Sequence, residues 1–269
     1  MGSFFDDELI MGSYLVRLLP LFLALYIIRI NKNFFENILF YVLFTLSYLL
    51  IFLSGERTSF FFLNLFVLFN ILFLEKDRLI RLIIFGISII LVTSFILSDN
   101  KYYERYIKSP INQFGFDNIN KDKYIFSPQH DALYKTAWKM FLDKPILGHG
   151  PKMYRIKCKE KKYAVGVSPC DTHPHNFYIQ LLAETGLLGF FFLFSLFCYL
   201  IFLIFKHLYK KIITKELFFS DYQICLISGL LISLWPLSPN GSFFNNYLMI
   251  LYSLQIGFFS ANKKFNLKI

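Results

Sequence analysis

Long apolar stretches alternate with short polar connections along most of this chain. Seven runs approach the length needed to cross a bilayer: residues 13–30, 37–53, 59–74, 79–97, 176–205, 217–235 and 243–261. A helix needs ~20 apolar residues to cross the ~30 Å hydrocarbon core, so the shortest of these sit at the lower limit. One segment, residues 98–175, breaks the rhythm and is polar throughout. The pattern predicts an all-α, polytopic transmembrane bundle of about seven spans. It divides into four spans in residues 1–97, a long loop in 98–175 and three spans in 176–269.

That loop carries helical periodicity of its own. In residues 131–142 (DALYKTAWKMFL), Leu133, Ala137, Met140 and Phe141 recur at helical spacing. Lys144-Pro145 ends the pattern, and Ile146-Leu147-Gly148-His149-Gly150-Pro151 supplies a turn. A short amphipathic helix is expected here, lying over the mouth of the bundle.

Composition agrees with a membrane class. The chain is 56% hydrophobic and 20% aromatic, with mean hydropathy +0.50, too apolar for a soluble domain of this size. The net charge of +10 invites a nucleic-acid partner. The basic residues argue against one, because they are split between short loops and the long loop with no basic helix or arm. Residues 4–8 (FFDDE) are acidic where an export signal is basic, and the first apolar run holds Arg17 and Pro20, so no signal peptide is expected. Cys198 and Cys225 fall inside apolar runs and read as inert core thiols.

Charge also predicts orientation. Arg29, Lys32, Lys76, Arg78, Arg81, Lys206, Lys210, Lys211, Lys215, Lys263, Lys264 and Lys268 fall in one set of connections. The alternate short connections hold only Arg57. The first set is therefore read as cytoplasmic, with the N-terminus and the long loop outside and the C-terminus inside.

Candidate chemistry concentrates where the loop meets the fifth run, Cys170-Asp-Thr-His-Pro-His-Asn176. Pro174 suits a first helical turn, with Asp171 or Thr172 as its cap. His175 would then sit at the N-terminus of a membrane helix, where the dipole disfavours imidazolium and free N–H groups favour a phosphate. A base beside a phosphate site is what glycosyl transfer from a lipid pyrophosphate requires. The alternative is a polar interfacial histidine that ends the helix. Gly186 lies eleven residues further on, which in an unbroken helix is the same face ~16 Å deeper. With Gly189 it marks an interior face open to close helix approach. Glu184 is read as structural, paired with a cation of a neighbouring helix.

Arg57 can grip phosphate with two parallel hydrogen bonds; the alternatives are snorkelling or pairing with Glu56. Arg17 can join the same anion site or anchor the interface. Cys158 and Cys170 suit a disulfide in an oxidising compartment. The rival is zinc on Cys158, Cys170, His173 and His175, a spacing that is not a standard one. His149 reads as a turn residue and His207 as a residue without a role. Neither a glycine-rich nucleotide loop nor an Asp-x-Asp metal motif is visible.

His175-Asn176, nine residues, then Gly186-Leu-Leu-Gly189 resembles the H-[NSQ]-x9-G-x-x-[GTV] signature of the O-antigen ligase family, which includes O-antigen polymerases. Asp143-Lys-Pro-Ile-Leu-Gly-His-Gly-Pro151 looks like the turn that precedes this signature, and Ser54-Gly-Glu-Arg-Thr58 resembles the family's S-G-x-R segment. Gly241-Ser-Phe-Phe-Asn-Asn246 is similar to the segment before the last helix of polymerase-like members. The resemblance implies a metal-independent, cofactor-free membrane glycosyltransferase of the GT-C type in the bacterial inner membrane. Its donor would be an undecaprenyl-pyrophosphate-linked glycan. Its acceptor would be lipid A core in a ligase, or a second lipid-linked glycan in a polymerase. The resemblance maps the catalytic histidine onto His175 and the pyrophosphate-binding arginine onto Arg57. A second family arginine is replaced here by His130, and Arg57, Arg17, His130 and Asn176 are the residues expected to contact the substrate. Family members also carry more helices, so the chain resembles a C-terminal portion, with an inactive fragment or assembly subunit as the non-enzymatic alternative.

Overall fold

In the computed structural model, residues 10–114, 126–166 and 168–265 are described. Residues 4–8 and Lys268, which entered the orientation argument, lie outside them, as do the side chains of Lys263 and Lys264. Among the described residues every regular element is a helix and none is a strand. Each of the seven apolar runs holds a helix: α1 (Met11–Ile28), α2 (Phe34–Leu53), α3 (Arg57–Phe73), α4 (Arg78–Ser98), then α9 (Phe177–Tyr209), α10 (Asp221–Ser233) and α11 (Asn246–Phe265). Between them come α5 (Asn100–Tyr103), continued by a π-helical turn, α6 (Ser109–Phe114), α7 (Pro128–Asp143) and α8 (Tyr154–Lys157). Among the described residues, four helices are long and apolar enough to cross a membrane: α1, α2, α4 and the stretch Phe177–Thr214. The expectation of seven spans is thus met in part. α3 and α10 are apolar but shorter, and the 13 residues of α10 reach only ~20 Å.

The chain divides into two units. The first comprises Met1–Lys108, Leu203–Ser233 and Leu251–Ile269. Within it α1 packs against α2, α3 and α10. Nearly every residue of α10 is buried, as expected of a helix apolar all round. By contrast α4 buries only Ser88 and Val92 and turns Ile90 and Leu97 outward, a surface suited to lipid. Gly229 allows the close approach of α10 to α1: a β-carbon there would lie 2.6 Å from the Pro20 ring. Pro20 disturbs the backbone ladder of α1, and Gln255 of α11 donates to the nearby Arg17 carbonyl at 2.9 Å. Polar side chains complete the helix ends. Glu56 accepts from the Gly12 and Ser13 amides at the start of α1 (2.6 and 3.0 Å) and from the Ser59 hydroxyl (2.7 Å). Asn33 and Glu36 form a capping box on α2. Asp221 accepts from the amides of Glu75 and Lys76, both at 3.1 Å. His207, expected to have no role, is buried: its Nδ1 accepts from the Phe219 amide and its ring stacks on Phe219.

The second unit comprises Ser109–Phe202 and Leu234–Ile250. The loop helix forms as α7, three residues earlier than its periodicity suggested, because Pro128 fits the first turn and Ser127 caps it. Leu133, Ala137 and Met140 are buried, whereas Phe141 is half-exposed. They share a core with Tyr154, Cys158, Tyr163 and Ala183 of the following segments. Cys158 and Cys170 are joined by a disulfide, with Cα atoms 5.3 Å apart. Cys225 is buried as expected, but Cys198 faces outward from α9.

Replacing Gly229 with Ala pushes α10 off a rigid proline ring. The expected cost is about 1–3 kcal/mol, read as a lower unfolding temperature in detergent, with Ser tolerated no better.

Candidate active site

His175 stands just before α9, not inside it. Asn176 is the cap: its Oδ1 accepts from the amides of Tyr178 and Ile179 (3.0 and 3.1 Å). Its Nδ2 donates to the carbonyls of Pro236 (2.8 Å) and Ser238 (3.3 Å). This corrects two expectations. Asp171 and Thr172 do not cap the helix, and Asn176 spends its amide on backbone groups instead of a ligand. His175 is left with φ +55°, a conformation uncommon for a residue with a side chain, and its carbonyl accepts from the Asn240 amide at 2.7 Å.

The imidazole of His175 is one-third exposed, with Nε2 3.0 Å from the Asp171 carboxylate. A carboxylate only accepts, so in the neutral ring Nε2 carries the proton and Nδ1 holds the lone pair. Burial alone would raise the Asp171 carboxyl, but the hydrogen bonds from His175 and the Thr172 amide outweigh it and hold it below its usual range. The His173 ring lies 4.2 Å from that of His175, and the His130 ring meets it edge-on at 5.5 Å. Burial, then the neighbouring His175, pushes His173 down to about 4, so His173 is neutral at pH 7. His130 is turned by the Ser127 hydroxyl, 2.7 Å from its Nδ1. The disulfide takes both thiols that a zinc site would need, which removes the four-ligand reading of Cys158, Cys170, His173 and His175.

Gly186 has φ +64° and ψ −160°, which interrupts α9 nine residues into the helix. The helical phase drawn from His175 through Gly186 therefore fails. A β-carbon at Gly186 would fall on the Ile146 backbone, and one at Gly148 on the backbone of Glu184. The turn Lys144–Gly150 and the break lie backbone to backbone. His149 and Gly150 donate to the carbonyls of Ala183 and Glu184 (3.1 and 2.8 Å), and Leu187 donates to the Pro145 carbonyl (2.8 Å). Those are the groups that an interrupted helix leaves without partners. Gly189 leaves room for the Thr185 side chain across the same break. Glu184 is fully buried, and it pairs with N–H groups rather than a helix cation: the Tyr154 amide at 2.8 Å and Gln180 at 3.0 Å. Gln180 also binds Ser242 (3.0 Å) and the Phe243 amide (2.9 Å), which ties the Gly241–Asn246 segment to α9. His149 is a turn residue with a buried ring; burial lowers its pKa and its Nε2 faces the Met140 carbonyl.

Arg57 and Arg17 belong to the first unit. Arg57 opens α3, half-buried. Glu56, its expected partner, is committed to the start of α1. Arg105, passed over in the sequence, donates to the Gly55 carbonyl at 2.9 Å, close enough for its charge and that of Arg57 to repel. Stacking of Tyr106 on Phe52, and its hydrogen bond to the Phe52 carbonyl, hold that segment down. Arg17 is only 2% exposed, bonded to Ser13, beside Tyr252 and facing the Phe62 ring, so it is not an interfacial anchor.

The sequence model of a family described as O-antigen ligase matches residues 40–194, more than half of the 269. The chain belongs to this family and is a multi-pass membrane protein. The match includes Arg57, Arg105, His130, both disulfide cysteines, His175, Gly186 and Gly189. Searches of curated proteins and of solved structures returned no match.

Two outcomes are expected from this geometry. Gly186→Ala combines a strained φ with a backbone clash and should cost at least about 2 kcal/mol, seen as faster proteolysis near residues 144–150. The second concerns acid. The unfolded chain protonates His173 below about pH 6.5 and the folded chain only near 4, so stability is full above 6.5 and declines between 6.5 and 4. His173→Gln should flatten that decline in unfolding-temperature measurements, with His149 supplying the remainder.

Proposed function

We propose that this protein transfers a glycan from undecaprenyl pyrophosphate to a sugar hydroxyl, with lipid A core as acceptor. Membership of the O-antigen ligase family supports the class of reaction and lipid-linked glycans as its substrates. The observation that carries the assignment of the base is the Asp171–His175 hydrogen bond, which leaves Nδ1 of a partly exposed imidazole free to take a proton.

In this reading the acceptor O–H gives its proton to His175 Nδ1 as its oxygen bonds to the anomeric carbon. The bond from that carbon to the pyrophosphate oxygen breaks, and the anomeric configuration inverts. Arg57, with Arg105 beside it, holds the negative charge of the departing pyrophosphate. Asp171 is a positioning residue that fixes the tautomer and stabilises the imidazolium. His130 faces the same imidazole, at the position where the family resemblance places a second arginine, and is a further contact for the phosphate. The active face is read as periplasmic, with the C-terminus cytoplasmic, on the charge pattern of the connections.

The test is turnover of a lipid-linked glycan by the purified chain, together with the banding of surface polysaccharide in a deletion strain. Loss of all chains on lipid A is the expected outcome, whereas single-unit chains would transfer the assignment to a polymerase. His175→Ala should lower turnover ~100-fold or more while insertion is unchanged. Asp171→Asn should lower the rate and shift its pH profile with little change in KM. Full activity in the His175 variant would sink the proposal.

A further inference from the structure

The first unit holds a cavity of about 450 Å³ that the proposed reaction does not use. It opens at the end of the bundle where α1 joins α2 and α3 joins α4, because both connections line it. Its walls are apolar, with Leu23, Phe40, Val67, Ile71 and Ile84 among them. Its volume lies in the range of small-ligand pockets. Its mouth is charged. Four cations line it, Arg29, Lys32, Lys76 and Arg81, against two acids, Asp77 and Asp221, so the mouth is net positive.

Several of these charges are already engaged. Asp221 is occupied by the amides of Glu75 and Lys76. Arg29 pairs with Glu36, and Lys32 rests on the Tyr26 ring with a bond to the Tyr26 carbonyl. Arg81 gives Nη2 to the Leu74 carbonyl at 2.8 Å, while its Nε is buried without a hydrogen-bond partner. Asp221 and Asp77 attract the Arg81 guanidinium, but burial costs it more than they return, so a further anion at the mouth would stabilise it. The complement is an amphiphile: a hydrocarbon chain for the walls and a phosphate for the rim. In a multi-pass membrane protein the abundant molecule of that chemistry is an anionic phospholipid, and basic pockets between membrane helices are suited to such headgroups.

We infer that this cavity is a binding site for one anionic phospholipid, with an acyl chain between α1, α2, α3 and α4 and the phosphodiester on Lys32, Lys76 and Arg81. This inference is independent of the transfer reaction and of the orientation of the chain.

The test is native mass spectrometry of the full chain released from detergent, titrated with dioleoyl phosphatidylglycerol or dioleoyl phosphatidylcholine. One phosphatidylglycerol per chain should be retained in preference to phosphatidylcholine. At ~1 kcal/mol per cation, Lys32→Gln with Arg81→Gln should erase roughly thirtyfold of affinity for phosphatidylglycerol and leave phosphatidylcholine little changed. Ile71→Trp with Ile84→Trp keeps every charge and narrows the hollow, so it should reduce retention of phosphatidylglycerol as well. Unfolding temperatures of both variants confirm that the bundle is intact. Equal retention of the two lipids by the parent chain would overturn the inference. So would unchanged retention in the narrowed variant, which would place the lipid on the outer surface.

Discussion

An interrupted helix in a membrane protein exposes backbone groups that lipid cannot satisfy, and the second unit is built around answering that demand. At Gly186 the helix loses its regular ladder, and the Lys144–Gly150 turn supplies the replacement hydrogen bonds from its own backbone. The replacement requires contact at backbone distance, so neither Gly186 nor Gly148 has room for a side chain. The two most distinctive motifs of the chain are therefore halves of one joint. Glu184, buried beside it, extends the joint to the Tyr154 amide and through Gln180 to the segment at 242–243.

His175 inherits its geometry from this scaffold. Asn176 caps the helix and clamps the 236–238 segment, the Asn240 amide holds the His175 carbonyl, and Asp171 reaches the imidazole from the disulfide-closed loop. His175 is presented by three convergent segments, not by a helix terminus alone. A site supported in this way keeps its side chain within the narrow tolerance that proton transfer needs.

Much of this was legible in the chain itself. The seven apolar runs marked every long helix, and the heptad-like spacing of Leu133, Ala137 and Met140 marked the loop helix, because burial of one face is a local, periodic demand. The H-N-x9-G-x-x-G signature singled out His175 and the glycines. What failed was the extrapolation of helical phase through Gly186. A single left-handed residue resets the phase, and nothing in the local pattern distinguishes a glycine that breaks a helix from one that lets another helix approach. Asn176 was misjudged for a related reason: its polar side chain is equally suited to ligand or cap, and only the chain path decides. Arg105 was hidden because its proximity to Gly55 arises from aromatic packing across fifty residues of sequence.

By itself, then, the sequence determined the membrane class, the helices and the residue types available for chemistry, since these follow from hydropathy, periodicity and side-chain pKa. The tertiary structure decided which of those residues are spent on holding the backbone together and which remain to act. Asn176, Glu184 and Arg17 went to the first purpose, because buried polar groups take the nearest complementary partners. At His175, the corner before α9, the cap and the clamp were both supplied by Asn176, and the imidazole kept a free nitrogen.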